Sequence, residues 1–253
     1  MDVIQPPVPV RRKAGKLRLG TMLGGLTGWV ALLVAAYIGA QYIVSFAIIG
    51  LMHLGMPWSE TSTVNTLSFR VYVYVAMVLI IGVVAWYRYR KLSFEQVGLQ
   101  RLPEWSDIGL SLAGVIVYML ASTVALTLAS NIPGFNPSQA QDLGLNRLFG
   151  DDLILGFFVL VVLTPLFEEV IFRGFLYGRL RNLQFPWWVS SLVVSILFGL
   201  AHMQWNVGVD VFFLSMVACV LREMTDSIWA GVLLHMVKNF LAFLVTYVFV
   251  QGM

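Results

Sequence analysis

The chain has 253 residues, 59% of them hydrophobic and only 11% charged, with a mean hydropathy of +0.83. Soluble domains carry about a quarter charged residues, so this composition excludes an ordinary soluble protein and points to a membrane one. The formal charge of +3 is accounted for by loop arginines and lysines without a nucleic-acid partner, and a single cysteine, Cys219, excludes an internal disulfide.

Residues 1–20 are proline-rich and basic, with Arg11, Arg12, Lys13, Lys16 and Arg18, and are expected to form a cytoplasmic tail. The apolar run behind them is longer than the roughly 7–15 residues of a signal h-region, so it reads as an anchor. Runs long enough to cross a bilayer, which needs about 20 residues, lie at 21–51, 70–88, 107–130, 152–180, 187–203, 206–222 and 227–250. At about 1.5 Å per residue the first exceeds a core about 30 Å thick and must tilt or break near Gly39 or Gly50. The expected fold is all-α: one transmembrane domain over 21–253, a polytopic bundle of about seven to eight helices.

Arg88, Arg90, Lys91, Arg101, Arg179, Arg181 and Arg222 fall on the side of the basic tail, while the opposite loops hold Arg70 and Arg147. Loop arginines and lysines favour the cytoplasm, which places the N-terminus inside and the C-terminus outside a multi-pass protein of the cell membrane. Residues 91–105, KLSFEQVGLQRLPEW, suit a short interfacial helix before Pro103, with Trp105 at the headgroups. Residues 131–144 have the Pro, Gly and Asn content of an irregular loop.

A charge at bilayer mid-depth costs about 2.5–3.5 kcal/mol, so such groups face a partner or a watery cavity. Here they are Glu168, Glu169, Arg173, His202, Asp210, His235 and Lys238, with Asn239 beside them. A helical step of about 100° brings Glu169 and Arg173 within about 40° as an i,i+4 pair, and leaves Glu168 on the face of Phe172. Pro165 is expected to bend this helix ahead of the carboxylates. Gly174 leaves room for another backbone. FGLAH sets Phe198 and His202 on one face, and HMVKN does the same for His235 and Asn239. Counting about 1.5 Å per residue from the cytoplasmic ends puts Glu168 near 17 Å, His202 near 22 Å and His235 near 12 Å depth, which permits one layer.

One carboxylate, two imidazoles and an amide converging there suit hydrolysis without a covalent intermediate. Glu168 would take a proton from the attacking water, His202 would position that water or share its proton, and His235 and Asn239 would donate to the oxyanion.

EEVIFR at 168–173, FGLAH at 198–202 and HMVKN at 235–239 resemble, in order, the motifs EExxxR, FxxxH and HxxxN of the CAAX protease and bacteriocin-processing (Abi) family of intramembrane proteases. REMTDSIWAGVLLH at 222–235 is similar to that family's approach to its third motif, and the likeness covers about residues 90–245. The resemblance implies a helical bundle enclosing a catalytic cavity, with Glu168 as base, Glu169 and Arg173 in support, His202 on the water, and His235 and Asn239 at the oxyanion. It implies a membrane-associated protein or peptide as substrate.

The family is widely labelled a metalloprotease, and Glu168, His202 and His235 would make a two-His, one-carboxylate zinc site. The chain lacks HExxH spacing, and zinc on Glu168 would require Glu169 to leave Arg173 to act as base. The metal-free reading, with no cofactor, is therefore preferred. Lys238 either enters the cavity or pairs with Asp210 or Glu223, the pairing being the simpler expectation. A transporter or proton relay is the main rival class; no pair of interrupted helices recurs in corresponding halves, as it does in repeat-built carriers.

Overall fold

The computed structural model of the protein describes residues 94–139 and 148–249, together with isolated positions between 27 and 54. The basic tail, the run at 70–88 and most of the run at 21–51 lie outside the described residues. Gly39 and Gly50 are helical. Among the described residues the fold is all-helical with no strand, and from Phe94 onward it forms six helices.

The first, α1, is Phe94–Val97, the short element expected ahead of Pro103. α2, Trp105–Ala129, begins where Glu104 N–H donates to Asp107 Oδ2 at 2.8 Å, and Arg101 closes on the same carboxylate at 2.5 and 2.8 Å. That carboxylate both satisfies an orphan donor of the first turn and favours the helix dipole. α3 is one continuous helix over 151–182, α4 is Trp187–Ala201, α5 is Trp205–Thr225, and α6 is Trp229–Phe243 continued to Phe249. The five long helices coincide, within a few residues, with the five apolar runs expected after residue 100.

Three of them, Trp105–Ala129, Leu153–Asn182 and Trp229–Phe249, are long and apolar enough to cross a membrane, and α4 is a shorter apolar helix. α5 carries Asp210, Arg222 and Glu223 and is not among the three. The chain is an integral membrane protein.

Around Pro165, where a bend is expected, the helix changes its hydrogen-bond register. α3 is α-helical at Asp151–Phe157, Thr164–Glu169 and Gly178–Asn182, and π-helical at Phe158–Leu163 and Val170–Tyr177. Proline has no N–H to return to the preceding turn. The turn before it is widened, with Thr164 N–H reaching back five residues to the Val159 carbonyl.

α5 packs against α2, α4 and α6. Their shared core includes Tyr118, Phe198, Leu214, Ala218, Leu221 and Leu234. Helices in lipid gain little from apolar burial alone, so close backbone approach matters more. Gly199 and Gly208 supply it between α4 and α5: a Cβ on Gly199 would lie 2.8 Å from the Gly208 carbonyl oxygen, and one on Gly208 would lie 3.0 Å from that of Gly199. The turn between them is tight, with Met203 at φ 54°. Gly174 admits a backbone as expected, its Cβ position lying 3.0 Å from the Val97 carbonyl of α1.

The segment after α1 is stitched to the α5–α6 turn. Ile228 N–H and Ser227 Oγ–H donate to the Gly98 carbonyl at 3.1 and 3.2 Å, and Trp229 Nε1–H donates to the Arg101 carbonyl at 2.7 Å. At the other end of the bundle, Asn206 Nδ2 donates to the Pro137 and Gln139 carbonyls. The described part of the irregular loop is thus tied to the turn that carries His202.

Candidate active site

Glu168 and Glu169 end the α-helical stretch of α3 just before its second π-helical segment. Glu169 and Arg173 are both fully buried, with Arg173 Nη1 2.6 Å from Glu169 Oε1. The i,i+4 pair read from the spacing is therefore present, inside the core. Glu168 stays 26% exposed and so can meet water, whereas Glu169 cannot.

Helical periodicity alone pairs Glu169 with Arg173 and turns Glu168 away from that pair, onto the face of Phe172. The structure divides them less cleanly. His235, on α6, is buried and bridges the two carboxylates, with Nδ1 3.1 Å from Glu169 Oε1 and Nε2 3.7 Å from Glu168 Oε2. A second helix therefore reaches Glu169, which a wheel drawn for α3 alone does not show. Gly231, one turn before His235, makes room for it: a Cβ there would stand 3.0 Å from Glu169 Oε2.

His202 closes α4 and donates Nδ1–H to the Phe198 carbonyl at 2.9 Å, leaving Nε2 for other work. Glu168, His235 and Lys238 are close enough to act on it electrostatically. Asn239 stands apart from these contacts, one N–H of its amide donating to the Leu160 carbonyl of α3 at 2.9 Å. That amide keeps a second N–H and its oxygen.

Phe198 is the residue that sequence reasoning placed but gave no role. Its fully buried ring lies edge-on to Phe172, His202 and His235, with centroids 4.8, 5.0 and 5.8 Å away, and the Arg173 guanidinium sits 4.6 Å above it. A cation over a ring face is attracted to it, more strongly where water is absent. Its position four residues ahead of His202 was the available signal. Lys238 Nζ lies 3.9 Å from Asp210 Oδ2, so of its two expected partners Asp210 is the one it meets. Glu223 is taken by Tyr177 and Arg181 instead.

Glu168, His202 and His235 have the donor chemistry of a zinc site. As placed they do not form one: among the described residues no three His, Cys, Asp or Glu side chains are arranged to hold a metal ion.

Residues 150–241 match the family model described as type II CAAX prenyl endopeptidase Rce1-like. The match covers less than half of the chain, and the matched segment contains all six residues singled out from the three motifs. An Escherichia coli protein described as an uncharacterized 24.3 kDa protein is 32% identical over 101 residues, 36% of this chain and 46% of that one. The UPF0177 protein YxdF of Lactococcus lactis subsp. lactis (strain IL1403) is 26% identical over 128 residues, 50% of this chain and 66% of that one. The chain thus spans about half to two thirds of the length of these curated relatives. No solved structure matches the chain.

Proposed function

We propose that this protein is an intramembrane endopeptidase that hydrolyses a peptide bond in a membrane-associated protein or peptide, using water activated by Glu168. The observation that carries the reading is the unequal pair of carboxylates. Glu169 is sealed between Arg173 and His235, while Glu168 is partly exposed beside His235 and within electrostatic reach of His202. A base must reach the water it deprotonates.

In this mechanism Glu168 takes one proton from the water as its oxygen bonds to the scissile carbonyl carbon. The carbonyl π pair moves onto oxygen, so negative charge passes from Glu168 to the oxyanion. His202 Nε2 accepts from the same water and fixes its direction. Asn239 donates its remaining amide N–H to the oxyanion; His235 donates from Nε2 when both ring nitrogens carry protons. The intermediate collapses with C–N cleavage, the proton held by Glu168 passes to the leaving amine, and the carboxylate is regenerated. Glu169 and Arg173 orient His235 and are not consumed.

The wider assignment is a cell-membrane protein with its N-terminus in the cytoplasm, a single transmembrane domain over 21–253 and a protease core of about 90–245. The substrate cavity lies within a bundle of seven to eight helices. The family description names prenyl endopeptidases, and a prenylated peptide is the first substrate to try.

Purified protein is incubated with fluorogenic peptides, prenylated and unprenylated, beside Glu168→Ala and His235→Ala. Cleavage by the parent and loss in both variants supports the reading. Undiminished cleavage by both variants removes these residues from the mechanism, and proton-coupled solute uptake into liposomes without any peptidase activity would replace the enzyme by a transporter.

A further inference from the structure

The hydrolytic scheme does not use the charged pair of Asp210 and Lys238. Asp210 on α5 is gripped from α2: its Oδ1 accepts from Tyr118 Oη–H at 2.7 Å and from Ser122 Oγ–H at 2.5 Å, and both donors are buried. Its Oδ2 faces Lys238 Nζ on α6 at 3.9 Å, an ionic contact too long for a hydrogen bond. The carboxylate is therefore held by two hydroxyls, and it holds the ammonium by charge while taking none of its N–H donors. Tyr118 and Ser122 lie outside the stretch that matches the family model, so this grip belongs to the part of the chain the match does not reach.

Lys238 follows His235 by three residues, adjoins Asn239 and acts electrostatically on His202. It thus stands on the helix that supplies both oxyanion donors of the scheme above. During attack the site's total charge does not change; its position does, leaving Glu168 on α3 for an oxygen near α6. A fixed cation on α6 stabilises the later distribution more than the earlier one, which is the condition for lowering a barrier.

We propose that Lys238 is an electrostatic member of the hydrolytic site, stabilising negative charge as it moves to the carbonyl oxygen, and that Asp210, gripped by Tyr118 and Ser122, is the positioning residue that holds it. This rests on the glutamate-activated water mechanism. The competing account is that Asp210 and Lys238 only balance each other's charge, and such a pair can often be replaced by two neutral residues without loss.

The test is a double-mutant cycle of Lys238→Met and Asp210→Asn, with Lys238→Arg and Glu168→Gln beside it, read as thermal unfolding in detergent and as kcat and KM on a cleaved fluorogenic peptide. Lys238→Met is expected to lower kcat about 10- to 100-fold with KM within about twofold. The double variant is expected to regain the parent's unfolding temperature but not its kcat, and Lys238→Arg to recover part of kcat. A double variant that regains kcat as well makes the pair structural and overturns the proposal. Should Lys238→Met fail to fold, Tyr118→Phe loosens the same grip from a distance; a drop in kcat of about threefold at constant KM supports the proposal, and an unchanged kcat overturns it. Full activity in Glu168→Gln would overturn the underlying mechanism and the proposal with it, whereas an inactive Glu168→Gln beside a fully active Lys238→Met overturns the proposal alone.

Discussion

His235 Nδ1 lies 3.1 Å from Oε1 of Glu169, the oxygen that Arg173 Nη1 also approaches to 2.6 Å. One buried atom thus ties the arginine of the first motif to the histidine of the third. The two neighbouring glutamates consequently differ in what their loss does. Glu169→Gln leaves Arg173 buried without its counter-charge, and breaking such a pair costs about 3–5 kcal/mol. Glu168→Gln, at a partly exposed position, leaves unfolding within about 0.5 kcal/mol of the parent while cutting turnover about 10²- to 10⁴-fold. Chemical unfolding in detergent and peptide cleavage on the same samples separate the two; equal destabilisation by both would contradict the assignment.

Gly231 is the empty space against which Glu169 rests. A methyl there would stand 3.0 Å from Glu169 Oε2 and 3.4 Å from Ala218 Cβ. Glu169 is pinned by its two partners and cannot swing aside without releasing one. Gly231→Ala is expected to cost about 1–3 kcal/mol and to reduce cleavage at unchanged substrate affinity. A variant with parental unfolding and parental kcat would show that the carboxylate has more freedom than this packing allows.

Phe198 carries contacts from both histidines and the arginine on one ring. Phe198→Ala is expected to lose about 3–5 kcal/mol through the cavity it leaves. Phe198→Leu keeps most of the volume but has no ring face for Arg173, and it should retain the fold while losing a substantial part of kcat. Comparison of the two by thermal unfolding and by cleavage distinguishes packing from orientation, and full activity in Phe198→Leu would reduce the ring to a filler.

The crossing of α4 and α5 depends on Gly199 and Gly208. Gly199→Ala would drive a methyl against the Gly208 carbonyl oxygen, a backbone atom that side-chain motion cannot relieve. The helices must separate, and α4 takes His202 with it. Gly199→Ala is expected to destabilise by about 1–3 kcal/mol and to lower kcat several-fold. Parental behaviour in both measurements would mean that the contact is not tight.

The zinc question has its own measurement. Protein stripped with a chelator and verified metal-free by elemental analysis is expected to cleave peptide at the parental rate, because the proposed base and oxyanion donors are side chains. Activity lost on stripping and recovered on adding zinc would transfer the water-activating role to a metal held by Glu168, His202 and His235.

Most of the described helices and the identity of the polar cluster could be read from the chain alone, for physical reasons that are local. Long apolar runs follow from bilayer thickness, and they located the five long helices to within a few residues. The cost of placing charge in lipid marked Glu168, Glu169, Arg173, His202 and His235 as belonging to something shared. The i,i+4 spacing of Glu169 and Arg173 is a property of one helix and was visible without neighbours. What needed the tertiary structure was every relation between helices: His235 reaching Glu169 as well as Glu168, Phe198 gathering three elements on one ring, and Gly231 and Ala218 shaping the wall around a carboxylate. The widened turns of α3 belong with these, since spacing at Pro165 predicts a disturbance but not the register in which it is absorbed. Helical periodicity assigns each residue to a face, whereas the partner of that face is decided by how helices distant in sequence cross. Here that crossing depends on two glycines and on a carboxylate shared by an arginine and a histidine.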